Sequence, residues 1–431
     1  MKKRTHRFCL GSLLAILLAA GFSFAQDPAA NGAKRPDGRP ALLRVFIDGS
    51  GSGGGGDYVR TEIPFVEYVR DRKDADVHTI STSLSSGAGS ETQIEFIGLG
   101  AFKDIHYTLT YFVDRLATRD ERREAMVRVL KKGLMPFVAR TEVEEQVSVS
   151  FKESTVKPVV PAKDPWDRWM FGVSLNGSLN GEKLQGSSSY DGGFSLNRVT
   201  EDLKINASWQ KSVYDSRFTI EDQEIRTSSR SWRFGGLMVK SLNEHWSVGG
   251  WVSAYSSTYS NEKTSFRIAP ALEFDVFPYA ESTRKRLTFL YRLNFGRYNY
   301  LEETIYGKLS ENLLSQSLSV SLNVIQPWGN ANASVVGSHY FHDFSKNRLS
   351  LYASLSVRIW KGFSVYSSGG FSMIHDQLSL VKGVLSSDEI LLRLKQMSTT
   401  YSYYMSLGIS YSFGSTLRGA VNPRFGSGYY E

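Results

Sequence analysis

Ser338-His339-Tyr340-Phe341-His342-Asp343 is the densest run of chemically able side chains in this sequence. A serine with an imidazole base and an orienting carboxylate would make a hydrolase. The spacing argues against one, because strand geometry sends Ser338 and His339 to opposite faces. His375-Asp376, in a later loop, could complete a dyad or hold a metal with His342, yet nothing in the pattern requires either. The plainer reading is a set of polar or interfacial residues at a strand end. Gly49-x-Gly51-x-x-Gly54 after a strand matches the dinucleotide fingerprint in its letters, with Asp71 or Asp74 near the distance of a ribose contact. A glycine tract generates that match by composition, and the receiving helix is expected only near Thr61, so the segment reads as a flexible loop. No Gly-Lys-Ser/Thr follows, which excludes a phosphate loop. No catalytic residue, cofactor or metal site is expected.

Charges placed by alternation are the better candidates. Arg267, Glu273 and Asp275 share one face of a strand-like segment, Thr288, Arg292 and Asn294 share a face of the next, and Lys204, Arg233 and Arg358 occupy equivalent faces elsewhere. On barrel strands these faces line the lumen, where paired charges fill a narrow barrel or set selectivity in an open one. Arg292 is expected within diagonal reach of Glu273. Arg119, Arg122 and Arg123 fall on the outer face of a helix, either solvated or available to dock a periplasmic protein partner.

Elements to position these residues follow from composition and patterning. With 38 Gly and 13% aromatic residues, the 431-residue chain is rich in strands and turns. A mean hydropathy of −0.27 with one early apolar run excludes a helical membrane protein but not a barrel, whose alternating strands average out. Lys2, Lys3, Arg4 and Arg7 precede the apolar run Phe8 to Ala20, and Ser23-Phe24-Ala25 has the small-x-small spacing of a cleavage site, so residues 1–25 read as a signal peptide. Cys9, the one cysteine, leaves with it, which removes disulfides and thiolate chemistry. The same leader holds four of the 51 basic residues, leaving 47 against 43 acidic ones. The mature chain is thus only mildly basic, and with no basic stripe nucleic acid is excluded as a partner.

Residues 26–40 read as a flexible leader and 41–152 as a small α/β domain. Its segments are a buried strand at Leu42 to Ile47, a helix capped by Thr61 with Phe65, Val66 and Val69 inward, and strands at Val77 to Thr82, Gln93 to Ile97 and Tyr107 to Phe112. The capping box Thr118-x-x-Glu121 then opens a long amphipathic helix with Met126, Val129, Leu130, Leu134 and Phe137 inward. Pro158, Pro161 and Pro165 mark a linker over 153–165.

From Trp169 to Phe413 period-two alternation takes over, clearest where Tyr403, Met405, Leu407 and Ile409 alternate with Tyr404, Ser406, Gly408 and Ser410. Greasy residues facing lipid and small polar ones facing a lumen fit a barrel better than a soluble sandwich. Twelve strands are expected over 167–178, 189–199, 202–214, 226–240, 245–258, 264–277, 286–299, 313–326, 331–342, 347–360, 363–375 and 399–413. Short turns alternate with long polar connections, which places the turns and the α/β domain in the periplasm and the long loops outside. Trp166, Trp169, Trp246, Trp328 and Trp360 fall near the periplasmic ends, where indoles anchor at an interface. The last outer loop, His375 to Thr400, has a helix expected over Ser387 to Gln396. Residues 166–415 are thus the barrel and 416–431 a periplasmic tail.

Three segments carry a resemblance: Arg44-Val45-Phe46-Ile47-Asp48, the run Tyr58 to Arg72, and Ala75-Asp76-Val77-His78. With the tail Tyr411-Ser412-Phe413-Gly414-Ser415 and Asn422-Pro423-Arg424-Phe425, the chain resembles a group of uncharacterised exported bacterial proteins that join such a domain to an outer-membrane β-barrel. In that group the loop after the first strand carries cysteines where this chain has Gly and Ser, so no redox or metal role is implied here. The resemblance implies architecture and location, not activity. The fold expected is therefore mainly β, an antiparallel transmembrane barrel of about twelve strands behind a periplasmic α/β domain. Its partners would be outer-membrane lipid and, during biogenesis, the barrel-insertion machinery. The function expected is a small porin-like channel or substrate port with a gating or docking domain. The alternatives are a non-conducting anchor for an envelope or secretion assembly and, more remotely, an outer-membrane hydrolase.

Overall fold

The computed structural model describes residues 42–49, 56–85, 89–115, 117–146, 166–200, 202–220, 223–383 and 395–414. The expected signal peptide, leader, most of the glycine loop, the linker, the tail and all but the last two residues of the loop helix lie outside them.

The first domain is a five-stranded sheet in the order β2-β1-β3-β4-β5, formed by β1 (Leu43–Gly49), β2 (Val66–Tyr68), β3 (Val77–Ser85), β4 (Gly89–Gly98) and β5 (His106–Asp114). β1 runs parallel to β2 and β3, while β3, β4 and β5 are antiparallel. Two helices accompany it, α1 (Gly56–Glu62) and α2 (Arg119–Val138). The capping box opens α2 as expected, with the Thr118 side chain and Glu121 satisfying each other's backbone N–H groups. Leu130, Leu134 and Phe137 of α2 pack on Val45, Val77, Ile94 and Phe96 of the sheet. A Cβ on Gly133 would run into the Phe96 ring, so glycine sets how closely helix and sheet approach.

The short helix is not where the sequence placed it. It starts at Gly56 and ends at Glu62, before Pro64, and Val66–Tyr68 is an edge strand. Val59 and Ile63, one helical turn apart and both buried, are the inward contacts that α1 and its exit use.

Twelve further strands form one antiparallel meander, each paired with its sequence neighbours. They are β6 (Trp169–Gly181), β7 (Gln185–Val199), β8 (Leu203–Ile220), β9 (Gln223–Ser241), β10 (Trp246–Ser257), β11 (Glu262–Asp275), β12 (Lys285–Tyr300), β13 (Ser310–Gln326), β14 (Gly329–Tyr340), β15 (Asp343–Trp360), β16 (Phe363–Ile374) and β17 (Tyr401–Tyr411). All twelve expected strands are present. The expectation that every alternate connection is long fails, because strands continue beyond the span the sequence suggested: β8 has 18 residues and β9 has 19. Among the described connections at the end far from the α/β domain, 182–184, 258–261 and 341–342 are tight and 301–309 is long.

Alternation is obeyed face by face. On β11 and β12, Phe266, Ile268, Leu272, Phe289, Tyr291 and Phe295 are exposed on the outer face, while Ser265, Ala269 and Thr288 are buried on the other. β6 and β17 end the strand order, and no ladder joins them among the described residues. These two strands are the free edges of the sheet, the edges that a lipid environment would require to meet.

Candidate functional site

The sheet of the α/β domain is covered on both faces. Leu43, Val45, Val77, Ile94 and Phe96 point to α2; by alternation Phe46, Asp48, His78, Gln93 and Glu95 point the other way, toward the barrel. Arg358, near the end of β15, meets this second face. Its guanidinium lies 5.1 Å over the Phe46 ring and donates to both Asp48 oxygens, at 2.6 and 2.8 Å. This is a bidentate, charge-assisted pair between residues 310 positions apart. His78 is fully buried behind it, with Nε2 3.5 Å from Asp48 Oδ2.

The next contacts involve the turn between β15 and β16. Lys361 Nζ lies 2.6 Å from Asp74, and the Gly362 N–H donates to Asp71 Oδ2 at 2.7 Å. Gly362 has a φ of +72°, and a Cβ there would strike the Ser412 carbonyl, so the tight turn needs glycine. Asp71 and Asp74, the would-be ribose ligands of the fingerprint, are thus committed to the barrel. On the turn between β11 and β12, Arg284 pairs with Glu95, and Thr283 donates to Gln93 at 3.2 Å. Arg115 reaches to β6, where its guanidinium would lie 3.8 Å from a Cβ on Gly172. The domain therefore touches the near rim at β6, at β11–β12 and at β15–β16.

Burial by itself would raise the Asp48 carboxyl, but the hydrogen bonds from Arg358, with the His78 imidazole close by, outweigh it and hold it well below the ordinary carboxylate range. Burial pulls the His78 imidazole down in spite of Asp48. The latch thus combines a carboxylate, a guanidinium and a neutral imidazole.

At the far end the loop between β16 and β17 crosses to the opposite wall. It pairs Val381 with Thr304, donates from Lys382 N to Glu303 O at 2.9 Å, and accepts at Leu380 O from Ile305 N at 2.8 Å. Asn261, at φ +58°, anchors it by donating to both Glu302 O and Ser379 O. Lys382–Glu303 and Lys395–Glu302 add exposed ion pairs.

Between the ends lies a cavity of about 440 Å³ whose lining includes Asn197, Asn206, Ser253, Arg267, Arg292 and Asn294. Register puts Arg292 opposite Ala271 and Glu273 opposite Leu290, which is the diagonal placement expected. No ion pair joins them among the described residues, and Arg292 instead stacks 5.2 Å over Trp251. Arg267 sits 5.8 Å over Tyr298 and Arg233 5.1 Å over Tyr255. Aromatic faces thus take the place of carboxylates as partners for these three cations. Glu273 and Asp275 lie closer to the near end, opposite Leu290 and Thr288.

The helix arginines are used within the domain. Arg122 donates to the carbonyls of Ala117, Asp114 and Arg115, and Arg123 pairs with Asp120 and lies 4.1 Å over Tyr58. Arg119 is exposed on the same helix, which packs on the sheet face opposite the barrel. The hydrolase cluster does not assemble: Ser338 pairs with inward Ser317, whereas His339 bonds Gln316 at 2.7 Å and stacks 4.5 Å from Phe344. His375 Nδ1 lies 3.2 Å from Asn347, and no metal-binding cluster occurs among the described residues.

Residues missed by sequence reasoning are Asp48, His78, Gln93, Glu95 and Trp251. A partial signal existed for the first group, since Phe46 places an apolar ring on the face that Leu43 and Val45 do not use, as in a strand covered on both sides. Trp251 was legible by parity, lying out of step with outward Val248 and Val252.

An antiparallel meander with exposed Phe, Leu, Ile and Tyr outside and Ser, Asn and Arg inside defines a membrane-spanning barrel, the class that occupies bacterial outer membranes. No protein-family model matches the chain, and no curated protein matches it. Among solved structures it is similar to the NanC porin, at 10% identity and a TM-score of 0.26 over 56% of this chain and 100% of that one. The translocator domain of the autotransporter NalP from Neisseria meningitidis matches at 10% identity and 0.22, over 57% and 87%. CdiB from Acinetobacter baumannii matches at 9% and 0.27, over 79% and 72%.

Proposed function

We propose that the protein is an outer-membrane channel held closed at rest by its own periplasmic α/β domain. The observation that carries this reading is the bidentate Arg358–Asp48 pair, which ties an inward-facing wall residue to a separate domain seated across the rim. A domain meant only to hang from a barrel needs a linker, not a guanidinium spent inside the lumen. Lys204, Arg233, Arg267, Glu273, Asp275 and Arg292 would line the path, with Arg358 as its latch. Arg119, Arg122 and Arg123 would remain outside the seal, on the exposed face of α2, and a periplasmic partner that pulls the domain away would dock there.

The test is solute efflux from liposomes carrying the whole mature protein. Asp48→Ala or Arg358→Ala should raise efflux over the parent. Equal efflux from parent and variants would dismiss the gate. A second reading, a non-conducting anchor, draws on the same three rim contacts, and complete impermeability of every variant would favour it.

A further inference from the structure

Arg267 and Arg292 share a cavity that has no acidic residue in its lining. Neither makes an ion pair among the described residues, and the buried Nε of each has no hydrogen-bond partner. A guanidinium withdrawn from bulk water without a carboxylate is costly, and stacking on Tyr298 or Trp251 offsets only part of that cost. Stacking also fixes the plane of each guanidinium while leaving its N–H edge available. Around the two edges stand Asn197, Asn206 and Asn294 with Ser195, Ser208 and Ser253. Side-chain amides and hydroxyls both donate and accept, as a polyhydroxylated solute requires. About 440 Å³ falls within the usual range of small-ligand sites.

We infer that this cavity is a binding site for a small carboxylated, hydroxyl-rich solute of the sugar-acid class, its carboxylate taken by Arg292 and Arg267 and its hydroxyls by the Asn and Ser side chains. The site deepens the channel reading by naming a solute class, but it rests only on the barrel and does not require conduction. Trp251 supplies a reporter, since a carboxylate drawn to Arg292 changes the surroundings of the indole beneath it.

The experiment is titration of the whole mature protein in detergent micelles with glucuronate and, separately, with glucose, followed by calorimetry and tryptophan fluorescence. Saturable glucuronate binding is expected, with glucose weaker by about ten- to a hundredfold, the loss of one charge-assisted set of hydrogen bonds. Arg292→Gln should weaken glucuronate by a similar factor and leave glucose unchanged, while Arg292→Lys should recover part of the loss. The titration is repeated in Asp48→Ala, where the near end is released, so that restricted access cannot pass for absence of a site. No saturable glucuronate binding in either background overturns the inference, as does equal binding of glucose. If Arg292→Gln does not fold, the glucuronate and glucose comparison on the parent still decides. Binding without efflux would retain the site and reject the channel.

Discussion

The two ends of the barrel are spanned by contacts of different kinds. At the near end a separate domain is held by side chains, chiefly Asp48–Arg358, Asp74–Lys361 and Glu95–Arg284. At the far end the chain's own loop is held by backbone hydrogen bonds and by Asn261. Charge-assisted contacts between bodies can be released by a competitor, by salt or by a partner that offers better charges. Backbone pairing between two loops responds to none of these. On the proposed gate, the near end would be the moving part and the far end the fixed one.

Breaking the near end should give the largest effect. Asp48→Ala leaves Arg358 facing Phe46 without its acid, at a cost of about 2 kcal/mol of docking, the low end for a desolvated charge pair because the Arg358 side chain is 37% exposed. Protease release of the α/β domain at an introduced linker site should accelerate accordingly, and an unchanged rate would show that the latch carries no load.

Loosening the far end is expected to do less. Asn261→Ala removes two side-chain donors and a residue suited to φ > 0, costing about 1–2 kcal/mol of loop order. Hydrogen exchange should rise at Glu302 to Ile305 while the domain contacts keep their protection. Coupled loss at both ends would erase the contrast.

The response to pH sharpens it. Asp48 is held below the ordinary carboxylate range when docked. Its contribution is therefore complete above the free carboxylate pKa and is lost only as pH falls through the lower docked value. His78 is also held low, so it too favours the docked state at higher pH, and its share is the first to fall as pH drops below the ordinary imidazole value. Docking should weaken modestly as pH falls below the ordinary imidazole value of about 6.5 and persist to about pH 4, measured by crosslinking from β1 to β15. Release at neutral pH would contradict the assignment. The smallest effect belongs to Lys382→Ala, whose exposed partner Glu303 gives a pair worth about 0–1 kcal/mol, visible at most in loop exchange rates.

Legibility in the sequence followed the range of the forces. Strands of the barrel were readable because one lipid-facing and one lumen-facing side impose a period of two on every segment. Their far ends were not, since β8 and β9 run on through the charged residues Asp215, Arg217, Glu224 and Arg226, where apolar alternation gives out. α1 was misplaced because Pro64 was read as opening a helix that it in fact follows. The pairing of Arg292 with Glu273 failed because a diagonal step is only one option for a long side chain, and Trp251 offered a nearer face. The latch was beyond local reading altogether, joining β1 to β15 across most of the chain.

The most direct test of the near end as a gate is single-channel conductance of the mature protein in a planar bilayer, with and without residues 26–160. A gated barrel is silent or rarely open when whole and gives reproducible steps once the domain is removed. Silence in both forms would contradict the gate and leave the barrel as an anchor.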